Sequence, residues 1–418
     1  MVRSAYIPRF LKKRLEDALA DTPVVLIHGP RQCGKTTLAQ HVGSELGYTY
    51  RSFDDRDVLA AAREDPVGFI EESADRTILD EIQRVPELFV SIKRVVDRER
   101  TPGRFILTGS SNILLIPRLS DSLAGRMEII RLHPLSRCEL NGRESGFLEE
   151  LLGGALHPYR SERLGREVAS LIASGGFPAA LARSTERRRS NWYRNYIDTI
   201  TQRDIQDLAR IKGLTTIPKL LEAASSRTAQ LFKLTELAGP FDLSRPTIGE
   251  YLTLLERLFL VERLPPWYSN RMKRLLKMPK LHLGDTGLAC ALLGQTVDSL
   301  SANRTLMGQL LETFVYQELR RQAGWGEVPI RFHHFRHKDG AEVDVVAEQG
   351  IDRIAGLEVK LSATIDAKDF RGLKKLSSML GDRFVAGAVL YDGEEILPFG
   401  RKLWAVPLSR VWDQAGEL

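Results

Sequence analysis

The sequence predicts an α/β protein with a mixed or parallel sheet at each end and a helical region between. Three observations carry this. A short apolar run, Pro23–His28, feeds a glycine-rich loop and then a helix. Two further strand-like runs, 341–346 and 354–360, lie near the C-terminus behind a helical segment. The middle of the chain is dominated by helix-length periodic segments with turn residues between them.

At 418 residues the chain is too long for one core, since single cores rarely exceed about 250–300 residues. The expected division is 1–160, 161–275 and 276–418. A net charge of +6 favours an anionic partner. Three widely spaced cysteines form no CxxC pair, which excludes a readable zinc ribbon or disulfide framework and suits a reducing cytoplasm. The N-terminal stretch is charged throughout, unlike a signal peptide, and no apolar run approaches the ~18–20 residues needed to span a bilayer. A soluble cytoplasmic protein without membrane partners is expected.

The loop after the first strand reads Gly29, Pro30, Arg31, Gln32, Cys33, Gly34, Lys35, Thr36, Thr37, and 38–46 reads as a helix. Strand, glycine loop and helix in that order define a Walker A motif for ATP. Glycines let the backbone curl round a phosphate, and the helix N-terminus adds partial positive charge. Lys35 is expected to bridge the β- and γ-phosphates, Thr36 to ligate Mg²⁺, and Thr37 to bond the α-phosphate.

Thr77–Ile82 supplies the complementary acids: Asp80 as the second Mg²⁺ ligand and Glu81 as the base orienting the attacking water. A third strand-like run, 104–110, ends in a polar turn. Ser110 is the first candidate there for a residue sensing the γ-phosphate, Asn112 the second; an ordinary Ser/Asn turn is the alternative.

Together, GPRQCGKTT, ILDEIQ, ILTGSSN and Ser122–Arg126 resemble the archaeal-type AAA+ ATPases, whose C-terminal half carries a domain of unknown function. The resemblance implies an AAA+ P-loop domain and a homo-oligomer, a hexamer being one form. It places the sensor strand between the two Walker strands and puts Arg126 where an arginine finger would stand. An internal ion pair is the other reading of Arg126. The turn 174–178, SGGFP, and the segment 280–288, KLHLGDTGL, resemble further signatures of that family.

In the middle region, Arg187–Tyr196 interleaves arginines with Trp192, Tyr193 and Tyr196. Such a pattern can grip nucleic acid, or it can be a helix with its aromatics packed inward. A helix at 234–239, a turn and a second helix at 246–258, then a strand at 259–264, follow the order of a winged helix. Arg245, Thr247 and Tyr251 would lie on its recognition helix. Residues 264–284 contain no acid but include Arg271, Lys273, Arg274, Lys277 and Lys280, with Trp267 and Tyr268 at the start. This segment is expected to contact a DNA backbone, structured or duplex.

The C-terminal region places Glu312 on a helix, Asp344 on a strand, and Glu358 and Lys360 on the next strand. Asp followed by Glu-x-Lys resembles the PD-(D/E)xK nuclease pattern. Period two puts Glu358 and Lys360 on one face, where they could share a divalent metal with Asp344 and Glu312. A nuclease fold kept only for binding is the alternative. His333, His334 and His337 read as packing or surface residues. Three functions remain open on the sequence: a DNA-remodelling motor of helicase or branch-migration type, an ATP-gated nuclease, and an ATP-dependent switch binding protein partners.

Overall fold

The computed structural model describes residues 6–110, 123–204, 216–233, 241, 243–268 and 278–415. Asn112, Ser122, the expected helix at 234–239, and Arg271, Lys273, Arg274 and Lys277 lie outside them. The chain forms two compact units, one of residues 1–135 with 254–259, the other of 136–253 with 260–418.

The first unit is built on a five-stranded sheet: β1 (Val24–His28), β2 (Thr49–Ser52), β3 (Thr77–Asp80), β4 (Phe105–Gly109) and β5 (Met127–Arg131). The order is β2-β3-β4-β1-β5, with every neighbouring pair parallel. All five residues of β1, and all five of β4, are buried, as a central strand covered on both faces requires. Val24, Leu26, Leu79, Phe105 and Leu107 join Leu88, Ile92 and Val95 of the helix Leu88–Arg98 in one core. That β4 stands between β1 and β3 agrees with the arrangement implied by the family resemblance.

The second unit holds two sheets. In the smaller, β8 (Lys280–Leu283) lies between β6 (Gln230–Leu231) and β7 (Val261–Leu264), antiparallel to both. The larger comprises β9 (Ile330–Arg336), β10 (Glu342–Gln349), β11 (Arg353–Val359), β12 (Phe384–Tyr391), β13 (Leu397–Gly400) and β14 (Leu403–Pro407). Its order is β13-β14-β12-β11-β10-β9, parallel between β11, β12 and β14 and antiparallel elsewhere. The helix Arg371–Leu380 makes the crossover from β11 to β12.

The stretch 136–160, expected to belong with the Walker motifs, folds instead with this C-terminal sheet. Arg410 is fully buried; its guanidinium donates to Ser145 O at 2.8 Å and to Glu150 Oε1 at 2.7 Å. Tyr159 Oη donates to Ser409 Oγ at 2.9 Å. The expected boundaries at 160 and 275 therefore both fall inside the second unit. Gly142 and Gly154 are left-handed C-caps of two short helices in this stretch, Arg137–Asn141 and Phe147–Gly153.

Candidate functional site

The nucleotide loop runs from the end of β1 into the helix Lys35–Leu46. Gly34 caps that helix at φ +104°, a backbone conformation that excludes a side chain in practice. Gly29 is needed for a different reason than phosphate access. A Cβ there would stand 2.0 Å from Leu132 O, so the loop is pressed against the chain leaving β5. Gln32 also takes positive φ, +60°, the local strain common at functional loops. Cys33 is buried, its thiol pushed up by desolvation and directed at Leu132 O. Its contribution to the loop is therefore made by its backbone. Arg9, invisible as a site residue in the sequence, braces the loop by donating to Cys33 O at 2.8 Å and His133 O at 2.7 Å.

Lys35 is buried and donates to Gly29 O at 3.0 Å and Pro30 O at 2.9 Å, folded over its own loop. Thr36 Oγ1 donates to Asp80 Oδ1 at 2.8 Å, which joins the two halves of the site. Thr108 Oγ1 donates to the same oxygen, and Tyr50 Oη donates to Asp80 Oδ2 at 2.8 Å. A hydroxyl beside a carboxylate is a hard oxygen donor set that fits Mg²⁺.

Glu81 follows at φ +59°, outside β3 and strained for a non-glycine residue. Its backbone N–H donates to Thr108 Oγ1 at 3.1 Å. Ser110 Oγ donates to Glu81 Oε2 at 2.8 Å, and Gln83 Nε2 donates both to that oxygen and to Ser110 Oγ. The expected sensor residue thus touches the expected base. Gln83 was contained in the quoted ILDEIQ string, but nothing local assigned it a role. Arg126 pairs with Asp97 inside its own unit, the internal alternative to a finger.

Strand, loop, paired acids and intervening sensor strand define an AAA-type P-loop ATPase domain, and residues 21–141 match the family described as AAA domain. Residues 165–299 and 307–411 match two domains of unknown function, DUF8612 and DUF4143. The chain is 31% identical over 401 residues to the uncharacterized protein Rv2008c of Mycobacterium tuberculosis, covering 95% of this chain and 83% of that one. The uncharacterized protein Mb2031c of Mycobacterium bovis matches equally. The chain belongs to the family of these two proteins. Among solved structures it is similar to a Walker-type ATPase of Pyrococcus abyssi, at TM-score 0.43 and 14% identity over 69% of this chain and 97% of that one. It is also similar to the RuvB Holliday junction branch migration motor of Thermotoga maritima, at TM-score 0.29 and 21% identity over 64% and 94%.

The second predicted site also assembles, with an unforeseen member. Glu312, Asp344, Glu358 and Lys360 lie together, but Lys280, expected on a DNA-facing segment, is buried among them. Its ammonium donates to Glu312 Oε1 at 2.6 Å and Asp344 Oδ1 at 2.9 Å. Asp344 Oδ2 accepts from Val359 N at 3.0 Å, and Lys360 Nζ donates to Glu358 Oε1 at 2.8 Å. Burial, then the like charge of Asp344, push the Glu358 carboxyl up to about 8 and the Glu312 carboxyl well above its ordinary range. Glu358 Oε2 is buried and has no hydrogen-bond partner among the described residues.

Other predicted contacts are packing. Trp192 stacks on Tyr196 and both lie against Phe177, the inward reading of the Arg187–Tyr196 pattern. Trp267 and Tyr251 are buried, Trp267 in the core of the larger sheet, because their ring area outweighs any exposed role. The SGGFP and LGDTGL motifs form one internal joint: Asp285 accepts from Gly176 N at 2.8 Å and caps the helix Thr286–Leu292. A Cβ on Gly175 would stand 2.2 Å from Asp285 Oδ1, which is why that turn is glycine. His333 and His334 are buried. Among the described residues no group of three His, Cys, Asp or Glu is arranged to hold a metal.

Proposed function

We propose that the protein hydrolyses ATP to drive remodelling or movement of DNA, working as a homo-oligomer. The observation that carries the hydrolytic part is the contact of Thr36 with Asp80 at 2.8 Å beside a Glu81 held by Ser110 and Gln83. Lys35, now on loop carbonyls, exchanges these neutral partners for the β- and γ-phosphates. Thr36 and Asp80 would hold Mg²⁺, which would supply positive charge against the phosphates. Glu81 orients the water, and Ser110 sets the direction of its carboxylate.

The DNA role rests on charge and on element order. Arg245 is exposed at the start of the helix Arg245–Arg257, which precedes the antiparallel strands β7 and β8 in the order of a winged helix. The one-signed run 264–284, apart from the buried Lys280, supplies cations for a phosphate backbone. Arg126 acts across subunits in this reading. Its pair with Asp97 is exposed to solvent and so exchanges readily for a neighbour's phosphate.

Steady-state ATPase assays with single-stranded, duplex and four-way DNA over a salt series test this. Stimulation that strengthens as salt falls is expected. An ATPase rate indifferent to every DNA would overturn the DNA role and leave the hydrolytic assignment standing.

A further inference from the structure

The geometry points to Lys280 as the permanent resident cation of the C-terminal carboxylate cluster, standing where a nuclease would hold its divalent metal. Glu312 Oε1 and Asp344 Oδ1, two of the oxygens a metal would need, both accept from its ammonium. Val359 N takes the remaining oxygen of Asp344, and Lys360 takes one oxygen of Glu358. Two ammonium groups thus supply the two positive charges that a divalent ion would bring.

Lys280 is buried, and its backbone is anchored as firmly as its ammonium. It belongs to β8, which is hydrogen-bonded along both edges, to β6 and to β7. All four residues of β8 are buried. Period two places His282 on the same face as Lys280, and His282 Nδ1 meets Thr313 Oγ1 at 3.0 Å, next in sequence to Glu312. Thr313 in turn meets Thr228 Oγ1 at 2.8 Å, and Thr228 Oγ1 accepts from Leu283 N. Withdrawing the ammonium would leave two buried carboxylates, Glu312 and Asp344, desolvated and unpaired. The donor set therefore does not fit a metal. The cluster works as an internal brace joining β8, the helix Arg304–Trp325 and β10.

The test uses the full-length Asp80→Asn protein without nucleotide, so that the P-loop does not contribute a metal site. Titration with MnCl₂, followed by calorimetry or by the free-Mn²⁺ electron spin resonance signal, should show no saturable binding that Asp344→Asn removes. A saturable site lost in Asp344→Asn would overturn the inference. In the same background, Lys280→Ala should gain a rise in Tm with Mn²⁺ that disappears on adding Asp344→Asn. A folded Lys280→Ala protein with no such gain would also overturn it. If Lys280→Ala does not fold, the titration of the parent protein still decides.

Discussion

Each unit buries a lysine at its candidate site, and the two lysines differ in what holds them. Lys35 is met by two neutral carbonyl oxygens of its own loop, Gly29 O and Pro30 O, so its charge is uncompensated at close range. Lys280 is met by two carboxylates and sits on a strand paired at both edges. An ammonium on carbonyls is waiting for an anion; an ammonium on carboxylates already has one. The contrast separates a site open to phosphate from one closed on itself, although both looked like catalytic constellations in the sequence.

The comparison can be broken most forcefully at Lys280. Lys280→Met removes one partner of a buried pair and should destabilise the second unit by about 3–5 kcal/mol in urea unfolding. A loss under about 1 kcal/mol would mean the carboxylates are already compensated in another way. Lys35→Ala should leave folding intact and reduce the ATPase rate by about 10²–10³, as loss of one transition-state donor does. Single-turnover kinetics would show it.

Glu358 gives a pH test. Its folded pKa, about 8, lies above the unfolded carboxyl value, so its contribution is complete below the unfolded pKa and is lost as pH rises through about 8. Between pH 6 and 7.5 wild type should lose about 2 kcal/mol relative to Glu358→Gln, at the single-proton slope of ~1.4 kcal/mol per pH unit. Parallel stability curves for the two proteins would exclude it.

Ser110→Ala removes a hydrogen bond to Glu81 and should slow hydrolysis by about tenfold, worth ~1.4 kcal/mol, with little change in KM. Arg126→Ala should leave the Tm nearly unchanged, since its pair with Asp97 is exposed to solvent. If Arg126 acts across subunits, the same variant loses activity while its Tm stays put; an unchanged rate confines Arg126 to its pair with Asp97.

The nucleotide site was legible because its parts are local. Residues 29–37 form one loop, Asp80 and Glu81 are adjacent, and Ser110 closes a strand whose neighbours the motif order predicts. What was missed lies at long separation or defies composition. Tyr50 and Arg9 reach the site from elements with no motif. Lys280 meets partners 32 and 64 residues away, and lysine is almost never buried unless paired. Within a run of basic residues its neighbours argued for solvent, while the alternation Lys-Leu-His-Leu of a fully buried strand did not declare itself. Tyr251 failed for the converse reason. A helix reads as a recognition helix by its position, and only packing shows which of its side chains face the core.

The grip of Arg410 on Ser145 and Glu150 has a consequence for how the chain is made. These partners are 265 and 260 residues apart, so the helix Phe147–Gly153 leaves the ribosome long before the guanidinium that fixes it. At about 5–20 residues per second that interval is roughly 13–50 s. For much of it Phe147, Leu148, Leu151 and Leu152, all buried in the finished fold, wait for β11 and β12, on which the helix packs. The apolar face of that helix is therefore made well before the strands that bury it, and the Arg410 clamp closes over it afterwards.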